Sequence, residues 1–226
     1  MQVGKINNDY NYNRYNSVAF KKIVKNKIPE SILENKKYVV GITGPSGIGK
    51  DTLVNMVIGN FEKIVTDTTR KMRPGEIDGV SYNFKTEEKF YEGIINNKYV
   101  EYIHGFGGKY YGTSKESMKK AINSGKPGLL IVDVDGARNI RNNLKNDPEI
   151  KFLSIFFEPP AIGELRPMDV LRQRLEGRGT ESQEDIEERL SRAAYEIGCK
   201  DEFDAVISFE NPDEGVASLK ELLHLN

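Results

Sequence analysis

A chain of 226 residues, 38% hydrophobic and 30% charged, is long enough for one sizeable core with small inserted lobes, so a single enzyme-sized unit is expected. Thirty-three Lys and Arg against 34 Asp and Glu leave a formal net charge of −1, which argues against nucleic acid or membrane partners and makes any anion site local. One cysteine, Cys199, excludes an intramolecular disulfide framework, and no apolar run is long enough to suggest a membrane span, so a reducing cytoplasm is the expected compartment.

In chain order, residues 1–37 stand apart. NNDYNYNRYN is rich in Asn and Tyr, and residues 1–28 hold six Lys or Arg against one acid, Asp9. The composition predicts a mobile N-terminal extension, with a basic targeting segment as the other reading. From residue 38 to 226 the pattern changes to short apolar runs alternating with helical periodicity, which predicts an α/β domain: a three-layer core with a parallel sheet between helices. Tyr38–Thr43 (YVVGIT) reads as a buried strand, GPSGIGK as its turn, and Asp51 to Ile58 as the helix that follows. GLLIVD (128–133), IKFLSIFF (150–157) and DAVISF (204–209) are three more strands of the same kind. Residues 66–112 differ: VSYNF and YVEYI look like strands and GFGGKYYG like a hairpin turn, so an inserted β-rich lobe is expected. Thr113-Ser-Lys-Glu116 reads as a capping box, and Ser182 with Asp185 as another, whose Ile186, Leu190, Ala193 and Ile197 share one helix face.

The turn after the first strand carries the first chemistry. Gly44, Pro45, Ser46, Gly47, Ile48, Gly49 and Lys50 complete most of the pattern G-x-x-x-x-G-K-[ST], with Asp51 and Thr52 following. The glycines let main-chain N–H groups point at a phosphate, the helix adds its positive N-terminal end, and Lys50 supplies a full charge. Asp51 stands where the pattern wants a hydroxyl. A bare carboxylate roughly 4 Å from a phosphate charge costs about 4 kcal/mol at an effective dielectric of about 20. The helix-dipole gain of about 0.3–1 kcal/mol does not offset that. Asp51 is therefore expected to act on Mg²⁺, directly or through water.

Thr66-Asp-Thr-Thr-Arg70-Lys-Met-Arg73-Pro-Gly-Glu76-Ile-Asp-Gly-Val-Ser-Tyr82 places two arginines three residues apart, then an acid and a tyrosine, a set suited to a monophosphate. With this stretch the sequence resembles the guanylate kinases. TTRKMRPGEIDGVSYNF, the phosphate loop, YYGTSK and RLEGRGTESQEDIEERL stand in that family's order over residues 38–226. The resemblance implies a P-loop core with a GMP-binding lobe at 66–112 and a helical lid at 172–198. It also implies ATP and GMP as substrates, with Mg²⁺, in a monomer or homodimer. Arg70, Arg73, Tyr82 and Tyr111 would then hold the GMP phosphate, with Glu76 orienting the arginines. Glu101 would accept from guanine N1–H and the exocyclic amine, and Thr66 and Thr113 would meet the base edge. A carboxylate facing two guanine donors rejects adenine, which offers an acceptor at N1 and no 2-amino group. Lys50, Arg174, Arg178 and Arg189 would stabilise the transferring phosphoryl group. Arg172 and Arg192 fit a salt-bridged helix face better.

The match departs from the family at several places. Where guanylate kinases usually carry D-x-D-x-Q-G, this chain has Ile131-Val-Asp133-Val-Asp135-Gly136, which leaves Asp133 to act near Mg²⁺, the arginines or GMP. Phe209-Glu210 replaces an Asn-Asp pair near the last strand. His104, Cys199 and His224 read as structural or incidental. Two alternatives stay open: a ribose 1,5-bisphosphate kinase-like enzyme, which shares the GKD loop, and a non-catalytic guanylate-kinase-like binding module.

Overall fold

The computed structural model describes residues 28, 30–34, 37–177, 179 and 182–225. After a five-residue helix α1 (Glu30–Glu34), the chain enters the first central strand β1 (Tyr38–Thr43), and helix α2 (Lys50–Val57) follows the glycine-rich turn. A two-residue strand β2 (Glu62–Lys63) precedes the second sheet, built from β3 (Asp67–Thr68), β4 (Asn83–Phe84), β5 (Tyr99–His104) and β6 (Tyr110–Ser114), with α3 (Glu87–Ile95) between β4 and β5. Then come α4 (Lys115–Ile122), β7 (Gly128–Ile131), α5 (Val134–Leu144), β8 (Lys151–Glu158), α6 (Pro167–Glu176), α7 (Gln183–Gly198), β9 (Ala205–Ser208) and α8 (Pro212–Leu222).

The central sheet runs β2-β7-β1-β8-β9 with every pairing parallel. Side chains alternate across β1. Tyr38, Val40 and Ile42 join Leu53 of α2, Leu171 of α6 and Leu190 of α7 on one face, while Val39 packs with Met118 of α4 and Ile140 of α5 on the other. A parallel sheet covered on both faces has no solvent side, which is why all six β1 residues are buried and the strand reads as a continuous apolar run. The second sheet runs β4-β3-β6-β5, antiparallel at β3·β6 and β5·β6 and parallel at β3·β4. It lies between residues 67 and 114, where the β-rich insertion was expected.

Each of the four expected core strands is present within two residues of its expected ends. The fifth, β2, escapes sequence reading because two polar residues have no period; it exists because Glu62 and Lys63 pair with Gly128 and Leu129. The cap of α4 also differs from expectation. Ser114, not Thr113, accepts the N–H of Ser117 (3.0 Å), because the fully buried Thr113 hydroxyl donates to Glu101 at 2.7 Å. The Ser182–Asp185 box of α7 is present in both directions. Ile28 is buried in the core, and Ile32 and Leu33 of α1 pack on it, so that part of the expected mobile extension is tied to the domain. Residues 1–27 lie outside the described residues. The helices assigned to a lid likewise give Leu171, Leu175, Ile186, Leu190 and Ala193 to the core.

Candidate active site

The C-terminal ends of the parallel strands open onto a cleft of about 490 Å³ between the two sheets. One wall is the glycine-rich turn. Gly44 has φ +147°, and a Cβ there would meet the carbonyl oxygen of Phe157 at 2.5 Å, so only glycine lets the loop lie this close to β8. Gly49 is left-handed at the N-cap of α2, and no side chain caps that helix among the described residues. Its first amides are thus offered to the cleft at the positive end of the helix. Lys50 Nζ folds back onto the carbonyls of Gly44 (2.6 Å) and Pro45 (3.1 Å). Asp51 lines the cleft beside Lys50, while Thr52 is exposed and Pro45 and Ile48 are buried behind the loop.

The opposite wall comes from the second sheet and the loop after β3. Arg70 forks onto Glu76 (Nη2–Oε1 2.7 Å, Nη1–Oε2 3.0 Å), and the main-chain N–H of Arg73 donates to the same acid at 2.7 Å. Burial pushes Glu76 up, but these donors outweigh it and hold its carboxyl below the usual range. The Arg70 guanidinium lies over the Tyr82 ring at 5.3 Å, and Tyr82 meets Tyr111 edge-on at 6.2 Å. Burial, with Asp51 nearby, raises the Tyr82 phenol to about 12, so it stays a neutral donor. Thr66, Arg70, Arg73, Glu76, Tyr82 and Tyr111 all line the cleft together.

Deep in the cleft is Glu101 of β5, 6% exposed. Its Oε1 accepts from Thr113, while Oε2 is buried with no hydrogen-bond partner among the described residues. Burial, then the negative charge of Asp133, raise this carboxyl to about 7 against the lowering effect of Thr113. An acceptor atom left open in a desolvated place is costly and marks where a ligand donor would be rewarded.

The floor comes from β7 and α7. Asp133 is the N-cap of α5, its Oδ1 accepting from Gly136 N at 2.7 Å, and its Oδ2 accepts from Arg192 at 2.7 Å. Asp135 points instead to Arg138 at 2.7 Å. Arg189 reaches the loop, Nη1 to Ser46 Oγ at 2.8 Å. Arg174 does not line the cleft; it donates to the carbonyls of Ile48 (3.2 Å) and Glu210 (2.9 Å), bracing the loop from behind. Arg178 lies outside the described residues. Arg172 is paired with Glu187 on an exposed face as expected, but Arg192 is not a surface residue of that kind. It lines the cleft with the buried Glu196, and both were missed. Their signal was the spacing: Arg189, Arg192 and Glu196 recur at three and four residues, as does the apolar stripe beside them. Cys199 is buried and meets Arg138 at 3.2 Å, in keeping with a structural role. Among the described residues no helix is long and apolar enough to cross a membrane.

Comparison with known proteins places this geometry among relatives. The family model described as guanylate kinase matches residues 35–226. The chain is 40% identical over 187 residues to the guanylate kinase of Histophilus somni strain 129Pt, covering 80% of this chain and 85% of that protein. It is 38% identical over 194 residues to the guanylate kinase of Prochlorococcus marinus strain MIT 9312, covering 84% and 99%. The crystal structure of guanylate kinase from Anaplasma phagocytophilum superposes with a TM-score of 0.66 at 26% identity, over 89% of this chain and 87% of that one. These likenesses favour neither the ribose 1,5-bisphosphate kinase nor the non-catalytic module.

Proposed function

The chain belongs to the guanylate kinase family, and from that premise we propose that it transfers the γ-phosphoryl group of ATP to GMP, giving ADP and GDP. The observation that carries this reading is the buried Oε2 of Glu101, without a hydrogen-bond partner among the described residues, in a cleft lined by the glycine-rich loop with Lys50 and by Arg70, Arg73, Tyr82 and Tyr111. Guanine offers N1–H and the 2-amino group to one carboxylate, and Glu101 ionised is an acceptor for both. The Arg70, Arg73, Tyr82 and Tyr111 groups then hold the monophosphate of GMP, with Glu76 fixing the arginine fork. Thr113 holds Glu101 in place, and Thr66 and Asp133 line the cleft beside it.

On the donor side, the amides of Gly47, Gly49 and the start of α2 cradle the β- and γ-phosphates, and Lys50 leaves the Gly44 and Pro45 carbonyls for the phosphate oxygens. Arg189, already against Ser46 of the loop, is placed to share charge on the transferring group, and Arg178 is assigned the same task by family position alone. No covalent intermediate is needed: alignment of the two phosphates and exclusion of water supply the rate. Among the described residues no cluster of three or more acids, histidines or cysteines gathers for a metal. Asp51, the carboxylate beside the glycine-rich loop, would suit Mg²⁺, an ion that takes hard oxygen ligands and keeps several waters. Bound Mg²⁺ would offset polyphosphate charge that Asp51 alone would repel. The domain assignment within this scheme is a GMP-binding lobe at 66–112 on a 38–226 kinase domain, working in the cytoplasm as a monomer or homodimer.

A coupled assay of ADP formation with GMP, dGMP, AMP, CMP, UMP and ribose 1,5-bisphosphate as acceptors tests the proposal. GMP is expected to be the best ribonucleotide acceptor by about a hundredfold or more; efficient phosphorylation of another acceptor with none of GMP overturns it. For Asp51→Ala, the Mg²⁺ concentration for half-maximal activity is expected to rise about tenfold. An unchanged Mg²⁺ profile removes Asp51 from the metal sphere.

The raised carboxyl of Glu101 makes a pH prediction. Guanine binds the ionised form, so below about 7 a proton must leave Glu101 before GMP can bind, and affinity falls as pH is lowered. GMP itself gains a proton on its phosphate near about pH 6, which adds a second slope. Calorimetry in buffers of different ionisation enthalpy is expected to show proton release between about pH 6 and pH 7 in the wild type. Glu101→Gln is expected to keep only the phosphate slope.

A further inference from the structure

Asp133 and Glu101 are near neighbours. A Cβ built on Gly136 would stand 3.2 Å from Asp133 Oδ1 and 3.3 Å from Glu101 Oε2, so the two acids flank the same glycine. Two carboxylates this close, one of them fully desolvated, repel each other unless a cation intervenes. The charge of Lys50 acts on both Asp133 and Glu196, and Arg192 contacts Asp133 directly. Its Nη2 donates to Asp133 Oδ2 at 2.7 Å, while its Nε donates to Glu196 Oε1 at 3.1 Å, one helical turn further along α7. Two bonds in different directions fix the guanidinium plane, and Glu196, with a side chain only 9% exposed, cannot swing away. Asp133 is in turn held by two bonds from different elements, the α5 amide of Gly136 and the α7 guanidinium.

We propose that Arg192 is a positioning residue for the acceptor: clamped by Glu196, it holds the Asp133 carboxylate beside Glu101 and offsets its charge, so that the base-recognising acid faces the ligand rather than its neighbour. The proposal rests on the reading of this cleft as a GMP site. Arg192 itself need touch no substrate. It acts through Asp133, and it stands three residues from Arg189, whose contact with Ser46 fixes the same helix against the donor loop. A plain ion pair between α5 and α7 would also hold the helices together, but its loss would lower stability and both affinities alike. Positioning through Asp133 would instead raise the dissociation constant for GMP and spare the donor.

The test is calorimetric binding of GMP, and separately of a non-hydrolysable ATP analogue with Mg²⁺, to the wild type and to Arg192→Met, Arg192→Lys, Asp133→Asn and the Asp133→Asn/Arg192→Met double variant. Arg192→Met is expected to weaken GMP about tenfold and to leave the ATP analogue within about twofold. Arg192→Lys, which keeps the charge but not the two-bond fork, is expected to recover only part of the loss. In the Asp133→Asn background, Arg192→Met is expected to change GMP affinity by less than about twofold, since the group it acts through is gone. Unchanged GMP affinity in Arg192→Met overturns the proposal, and so does an equal loss in both backgrounds or an equal loss for both ligands. If the wild type binds the ATP analogue but no GMP, the kinase reading fails and takes this one with it, an outcome distinct from a wild type that binds GMP with an indifferent Arg192.

Discussion

The molecule turns on a buried acid whose second oxygen has no hydrogen-bond partner among the described residues. Glu101 sits on β5 with Thr113 holding one oxygen and the other desolvated, and leaving a buried acceptor unsatisfied costs about 1–3 kcal/mol. That cost is tolerable because the rest of the site makes it useful only to a ligand with the right donors. Thr113 is withdrawn from capping α4, and Ser114 takes its place. The helix at the floor presents Asp133 across Gly136, and α7 brings a cation to that acid. The second sheet thus serves as a rigid mount for one carboxylate, and its antiparallel pairing of Glu101 with Thr113 sets the hydroxyl opposite the acid.

The donor wall follows a separate logic that meets the first through α7. The loop reaches the cleft because glycine at position 44 passes close to β8, and α2 begins without a side-chain cap among the described residues, so its first amides face the cleft. Lys50 rests on two carbonyls of its own loop, which hold its ammonium at the mouth of the turn. Arg189 on Ser46 and Arg192 on Asp133 come from one face of one helix, whose Ile186, Leu190 and Ala193 are fixed in the core. Relative placement of the two walls is therefore set by core packing and not by the cleft residues alone.

Much of this was legible in the sequence because the relevant signals are local. A strand followed by GPSGIGK and a helix has a fixed meaning, the Ser182–Asp185 box announces α7, and the Arg70–Arg73–Glu76–Tyr82 run folds into one wall by short-range turns. What was not legible depends on distant pairing. β2 has two polar residues and is a strand only through its bonds to β7. Thr113 reads as a cap in the sequence because its bond to Glu101 comes from the neighbouring strand. Arg192 looked like Arg172, an arginine among glutamates; only the burial of Glu196 and the arrival of Asp133 from another element separate them. The resemblance puts Arg174 in the lid, on the transferring phosphoryl group, while its bonds in the structure run to the carbonyls of Ile48 and Glu210 behind the loop.

The central claim, that Glu101 reads the acceptor through two guanine donors, is tested most directly by comparing equilibrium binding of GMP with that of inosine monophosphate, which keeps N1–H and lacks the 2-amino group. The account predicts that the wild type binds inosine monophosphate about 10- to 100-fold more weakly, and that this ratio collapses toward one in Glu101→Gln as GMP loses more than its analogue. A ratio that is the same in wild type and variant would contradict it.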